Sequence, residues 1–549
     1  MLSDHAIKLL EERYLLKDED GNIIETPDEF FVRVAKHGAK TEEEFRDNLE
    51  AISSFKFVPS RMPYMGTERP FCSSCFVLGP IEDDTDSILD VLKQNVAVQR
   101  YGGGAGFNFS RLRPQGDVIR KTKGKASGPV SFMQLYDSAM RVFLRAGNKM
   151  GAQMAVLNVD HPDIEKFITC KDKEGELTTF NISVAVSDSF MQAVNEDRDW
   201  DLVFGGKVYK TIRAKDLWRK LTYQSWKNGE PGIIFIDTVN RYNKYPFPIE
   251  ASNPCGEIHA PENFSCNLGS VNLSAFVKDG TVDYNELERV VRIAIRFLDT
   301  SLDRAWFPLD ELKETATKYR NIGLGIMGFA DALLKLGIPY DSDRAIRFAD
   351  NVGEFFVLVA KDESKGRNIA LTAIAPTGSI ATLAGCSYGI EPIFAVSFTK
   401  NTLLGSVTQL NEHFVDIAKR RGFYTEELVA KIEKSGSIQD IPEVPQDVKD
   451  IFKTAGEISV DRHVEIQAAF QKHVCNAISK TINLHNSATV EEVGRVYMLA
   501  YNSGCKSTTV YRDGSRVIQA MDTGKDKKKE QKWELYISDP SCISGTCSI

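Results

Sequence analysis

The sequence predicts a mostly parallel α/β core, on three observations. Gly232-Ile233-Ile234-Phe235-Ile236-Asp237 is an apolar run bounded by Gly and Asp, the pattern of a buried strand. Asn285 to Trp306 is a long amphipathic helix with Leu287, Val290, Val291, Ala294, Phe297 and Leu298 on one face. Around these two, helical stretches keep alternating with single short apolar runs, the order that a parallel sheet covered by helices requires.

Composition sets the outer bounds. The chain has 549 residues, 42% hydrophobic and 26% charged, enough for one large core with appendages or for two to four ordinary domains. A net charge of -8 argues against a nucleic-acid partner, which calls for a basic field, but leaves room for small phosphorylated ligands. No apolar run approaches the ~18 residues of a membrane span. The N-terminal Met1-Leu2-Ser3-Asp4-His5 lacks the pattern of a signal peptide, so a cytoplasmic protein is expected. Ten cysteines in such a protein are mostly thiols, and any that pair are redox-active rather than structural. Cys72 and Cys75 form a C-x-x-C that nothing else completes to four ligands, so no metal is expected.

Taken in order, residues 3–54 are charged with apolar residues at helical spacing and read as short surface helices. Glu82-Asp83-Asp84 is an acidic turn that caps a helix starting near Ser87. Gly102-Gly103-Gly104-Ala105-Gly106 lets a backbone approach another group closely. The loops Lys121 to Gly128 and Arg145 to Gln153 flank a helix from about Val130 to Leu144; they read as solvated loops or as brackets for an anion. Val156 to Val159 and Ile182 to Val186 read as strands. Gly323-Leu324-Gly325-Ile326-Met327-Gly328 matches G-x-G-x-x-G without a preceding strand, and its glycines are assigned to close helix packing. Ile369 to Ile374 is a strand ending in Ala375-Pro376-Thr377-Gly378-Ser379, either a phosphate cradle or a plain capped helix start. Thr481 to Leu484 and Thr508 to Tyr511 are further strands. From Gly524 to Lys532 the chain is a charged tether, and Cys542 and Cys547 beyond it read as a mobile dithiol.

Near the middle lies Asn253-Pro254-Cys255-Gly256-Glu257, with Cys266 beyond it. Pro and Gly keep this stretch out of regular structure, so a thiol, a carboxylate and a carboxamide share one loop. It reads either as a turn with local caps and a buried Cys, or as a site.

Together these motifs resemble the catalytic chain of a ribonucleotide reductase, of the longer, dimeric, adenosylcobalamin-dependent class II. The resemblance rests on Asn253–Glu257, on SSCFVL from Ser73, CNLGSVNLS from Cys266 and IAPTGSI from Ile374, and on AGCSYGIEPIF from Ala384 and GCKSTTVYRDGSR from Gly504. It implies a ten-stranded α/β barrel of two parallel five-stranded half-sheets around a central finger loop (about 250–260). A mainly helical region, 1–70, precedes the barrel of 71–516, whose specificity loops span about 83–158. A flexible tail, 517–549, follows. By resemblance, Cys255 carries a thiyl radical, Glu257 is a general base and Asn253 holds substrate hydroxyls. Cys75 and Cys266 supply two electrons, and Cys542 and Cys547 restore them from a thioredoxin-like reductant. Ser74, Gly104, Ala375, Pro376, Thr377, Gly378, Ser379 and Ser60 fall at substrate positions. Asp83, Arg120, Lys121, Arg145 and Lys149 fall at a homodimer-interface site for a dNTP or ATP effector. The implied substrate is a ribonucleoside diphosphate and the implied cofactor adenosylcobalamin.

Class I relays a radical through adjacent tyrosines; here Tyr511 has no tyrosine neighbour, and the glycyl-radical motif is absent. The chain departs from the family pattern in two places. Residues 356–368 are much shortened, and Ser60-Arg61-Met62-Pro63 stands where Thr-Pro-Thr is usual. The rival expectations are a class I-like subunit needing a separate radical partner, and an inactive nucleotide-binding regulator.

Overall fold

The computed structural model describes residues 2, 4–119, 122–144, 151–173, 175–402 and 405–516. The expectations for Arg120, Lys121, Arg145, Lys149, Cys542, Cys547 and the tail lie outside the described residues.

Strands close into a barrel with two halves. In the first half Cys75–Val77, Gly104–Asn108, Gln153–Asn158, Phe180–Val186 and Gly232–Phe235 pair in parallel, in that order. In the second, Phe264–Asn272 pairs in parallel with Ile322–Met327. A single bridge, Leu324 to Thr372, adds the extended segment 371–374, and another, Ile374 to Ile478, leads to Thr481–Leu484. Ser507–Arg512 pairs in parallel with that last strand. The halves meet antiparallel at both seams, Cys75–Val77 against Phe264–Asn272 and Gly232–Phe235 against Ser507–Arg512. The result is ten strands with no free edge between them, as the family resemblance implies. The short strand Phe57–Pro59 adds antiparallel to the outside of one half.

Helices cover the barrel because each carries one apolar stripe. Tyr284–Arg304 buries Leu287, Val290, Val291, Phe297 and Leu298 completely. The N-terminal helices Asp4–Arg13, Pro27–His37 and Glu42–Ser53 match the expected short helices, but they are more than surface decoration: Leu10, Phe30, Val34 and Ile52 are wholly buried in the same core. Thr26 and Glu29 close a capping box on the second of them. Asp84 caps Thr85–Gln99 through the Ser87 N–H.

Two readings change. The glycines at 323 and 325 lie in a fully buried strand, not in helix packing. A Cβ at Gly325 would stand 2.4 Å from Ala373 O, so they let two strands nest. The shortened stretch 356–368 begins as the end of one helix, Asp343–Ser364, which stops at Lys365 in the left-handed region. Asn368 Nδ2 then donates to Asp299 Oδ1 and Arg320 O, both at 2.9 Å, and stitches the helix end directly to the barrel.

Candidate active site

The hairpin Ala251–Ser252/His259–Ala260 enters the barrel and holds the Asn253–Glu257 loop at its centre. It fits because Gly106 lacks a side chain: a Cβ there would lie 1.7 Å from Ser252 O. The predicted close approach at the glycine run is therefore made to the protein's own hairpin.

The loop is held by its own amide. Asn253 Oδ1 accepts from the Gly256 N–H at 3.1 Å and the Ile258 N–H at 2.9 Å. Gly256 takes φ +82, which explains the glycine. The barrel wall grips the loop from outside: Asn181 Nδ2 donates to Pro254 O at 2.9 Å, and Ala477 N to Glu257 O at 3.0 Å. Asn253 Nδ2 donates to Cys75 Sγ at 3.0 Å, and the Cys75 thiol points at Glu257 Oε1 at 3.5 Å. The loop thus combines both readings left open by the sequence: it is a locally capped turn, and its side chains converge on other functional groups.

Cys75 and Cys266 are direct partners across the antiparallel seam. Opposed residues in such a pair have Cα atoms ~4.5–5.5 Å apart, inside the range a disulfide spans. Both are thiols in this structure and fully buried. Burial pushes both thiols well above their ordinary range, and the Glu257 carboxylate adds to this. Burial also raises Glu257, against the opposing hydrogen bonds of Asn253 and Cys75. Glu257 Oε2 is buried without a hydrogen-bond partner among the described residues, so one carboxylate oxygen remains available to a ligand.

Cys255 stands between two cavities. The first is lined by Ser60, Ser74, Cys255, Glu257, Ala375, Pro376 and Thr377. Seven expected site residues from four distant stretches therefore share one pocket. Gly378 and Ser379 are not on its wall; they lie in the following helix Gly378–Ala384. Gly104 stands behind it, donating its N–H to Ser74 O at 2.8 Å. Leu268, Gly269 and Ser270 also line this pocket and were not singled out, although they lie inside the motif that begins at Cys266. The second cavity, open to solvent, reaches Cys255 from the other side past Asn181, Ser183, Ser479, Thr481 and Thr509.

Elsewhere, Asp83 is paired with Arg113, whose Nε lies 2.6 Å from Oδ2. Cys72 does not join Cys75: it faces away and bonds His37 Nε2 at 3.2 Å.

Comparison with known proteins bears on all of this. Residues 1–70 match the ribonucleotide reductase all-alpha domain, and residues 73–366 and 362–511 match the ribonucleotide reductase barrel domain in two stretches that meet at the shortened region. A vitamin B12-dependent ribonucleoside-diphosphate reductase of Thermoplasma acidophilum is 38% identical, covering 100% of this chain and 85% of that protein. A Mycobacterium tuberculosis protein of the same name is 40% identical, over 100% and 84%. In fold, the chain is similar to the class Id ribonucleotide reductase alpha subunit of Actinobacillus ureae, with a TM-score of 0.77 and 23% identity over 93% of this chain and 97% of that one. Relatives that span the whole chain and two family domains matched in order lead to one conclusion: the chain belongs to the ribonucleotide reductase family.

Proposed function

We propose that this protein reduces ribonucleoside diphosphates to 2′-deoxyribonucleotides by thiyl-radical chemistry, with adenosylcobalamin as radical source. The observation that carries the reading is the placement of Cys255 as a shared wall of two cavities. On one side are Glu257 and the 375–377 turn; on the other is the larger of the two cavities, lined by an amide and hydroxyls.

The first pocket takes the substrate. Ala375, Pro376 and Thr377 face its phosphates, with Gly378 and Ser379 supporting the turn, while Ser60 and Ser74 contact the sugar. The Cys255 thiyl removes the 3′ hydrogen, and Glu257 takes the 3′ hydroxyl proton. Asn253 exchanges its bond to Cys75 for one to a substrate hydroxyl, which frees the Cys75 thiol. One thiol of the Cys75–Cys266 pair protonates the leaving 2′ hydroxyl, which departs as water, and the other hands a hydrogen atom to the 2′ carbon. The remaining electron passes to the 3′ carbonyl together with the Glu257 proton as the Cys75–Cys266 disulfide forms. Cys255 then returns its hydrogen to the 3′ carbon. A carboxylate raised by burial suits the base role, because a proton acceptor works best with its pKa close to working pH.

The second cavity fits a cofactor's adenosyl group: its wall carries the Asn181 amide and several hydroxyls, and Thr508 Oγ1, also on that wall, is buried without a partner among the described residues. When bound, adenosylcobalamin supplies a carbon-centred radical able to accept the Cys255 hydrogen. Cys542 and Cys547 reopen the Cys75–Cys266 disulfide and are reduced by a thioredoxin-like protein. Asp83, Arg120, Lys121, Arg145 and Lys149 bind a dNTP or ATP effector at a homodimer interface.

The test is an anaerobic assay with CDP, an ATP or dATP effector, a dithiol and adenosylcobalamin. Deoxycytidine diphosphate is expected. Its absence would sink the proposal, and activity only with an added radical-generating protein would install the class I-like alternative.

A further inference from the structure

One buried polar group packed against the cluster that holds Cys266 is left unused by the steps above. Tyr245 lies just before the finger hairpin. Its ring stands edge-on to Phe264 at 4.9 Å and edge-on to Tyr319 at 6.5 Å. Phe264 and Cys266 are two apart on one strand, so both project to the same, inner face. Tyr245 packs against the interior cluster that contains Phe264, Cys266 and Ala373. Its Oη is buried and has no hydrogen-bond partner among the described residues. Burial holds this hydroxyl well above its ordinary range, and two sulfurs, Cys266 and Cys475, reinforce the effect. It is a donor that keeps its proton, in a place where an unmade hydrogen bond is costly.

The two sulfurs differ. Cys475 Sγ already accepts the Leu371 and Thr372 N–H groups, each at 3.1 Å. Cys266 Sγ makes a long contact, 3.9 Å, to Asn267 O, and among the described residues no hydrogen bond is donated to it. A neutral thiol tolerates that; a buried thiolate does not.

We propose that the Tyr245 hydroxyl is the hydrogen-bond donor that stabilises Cys266 as a thiolate when the Cys75–Cys266 disulfide is opened. The inference rests on the reading of these cysteines as the redox pair. In the step itself, one thiolate of an incoming dithiol attacks the Cys75 sulfur. The S–S bond breaks and its electron pair leaves on Cys266, towards which Tyr245 Oη swings its hydrogen. The second thiol of the dithiol displaces Cys75 and closes the external disulfide. The two protons of the dithiol, one carried through solvent, end on Cys75 and Cys266. The dithiol is oxidised and the pair reduced, with Tyr245 unchanged.

The test separates this role from packing. Tyr245→Phe keeps the ring and removes only the hydroxyl. The oxidised protein is reduced with a small dithiol, quenched with an alkylating agent at intervals, and its modified thiols counted by mass. Reduction about tenfold slower is expected, the size of a lost hydrogen bond to a charged group. The prereduced variant should still form one deoxynucleotide per chain, and Cys475→Ser should reduce at the normal rate. An unchanged rate in Tyr245→Phe, or equal slowing in Cys475→Ser, would overturn the proposal. A Cys266→Ser protein that still completes one turnover would instead overturn the redox pair beneath it.

Discussion

Glu257 is a carboxylate placed where almost no water reaches it, and its ionisation there is costly. Burial raises its folded pKa above the unfolded value of 4.5. The unfolded chain therefore releases this proton first as pH rises, so the group costs stability from about pH 4.5 upward, increasingly until the folded pKa is passed. Glu257→Gln should be more resistant to denaturant than the parent protein at pH 8, with the gain shrinking towards pH 4; chemical denaturation at both pH values checks this. The same substitution should abolish deoxynucleotide formation and leave nucleotide binding intact by equilibrium dialysis. Cys255→Ser should likewise give no detectable product, and unaltered turnover in it would show that Cys255 is not the radical thiol. At this scale the sequence showed which residue types share the loop but not which distant ones meet them. Nothing in the spacing of Cys75 and Cys266 says they face one another. Their pairing comes from an antiparallel seam between two half-sheets, and only the family resemblance anticipated it. Tyr245 gave no signal, because a tyrosine among aromatics reads as core.

The finger hairpin shows how an element can be specified by its host. Gly106 is in the middle of the first half-sheet, and the Ser252 carbonyl occupies the space a Cβ would need. Gly106→Ala should lower stability by about 1–3 kcal/mol, the usual cost of an overpacked core, and cut turnover sharply, because the loop is pushed off its seat. Denaturant melts and the assay above measure the two effects separately. Strands with apolar runs, such as Gly232–Phe235 and Thr481–Leu484, were legible. Phe264–Asn272 was not: all nine residues are buried, yet Ser265, Asn267, Gly269, Ser270 and Asn272 give it the composition of a loop. Its polar side chains are placed by tertiary bonds such as Asn267 Nδ2 to Leu298 O at 3.0 Å, which no local pattern encodes. Ile322–Met327 escaped for the same reason, its glycines hiding a strand behind a nucleotide-like motif.

Across the whole molecule, the proposed function divides labour between a closed barrel and parts attached to it. Replacing Cys542 and Cys547 with Ser should abolish turnover driven by thioredoxin and leave one turnover per prereduced chain; surviving thioredoxin-driven turnover would show the assignment to be wrong. The helix Pro129–Leu144 carries Leu135, Val142 and Phe143 at 40%, 70% and 56% exposure, a face suited to the proposed dimer. Phe143→Asp should halve the mass seen by light scattering and blunt the effector's choice of base.

The closed ring also constrains how the chain can be assembled. The hairpin lies in the sequence between the last strand of the first half, Gly232–Phe235, and the first strand of the second, Phe264–Asn272. The hairpin rests on the concave face around Gly106 and is enclosed by both halves. One of the two seams that enclose it joins Ser507–Arg512 to Gly232–Phe235, some 270 residues earlier in the chain, a contact of long sequence separation that is slow to form. The enclosure of Cys255 therefore depends on one of the longest-range pairings in the chain. The loop that does the chemistry is also the mould around which the cylinder is cast.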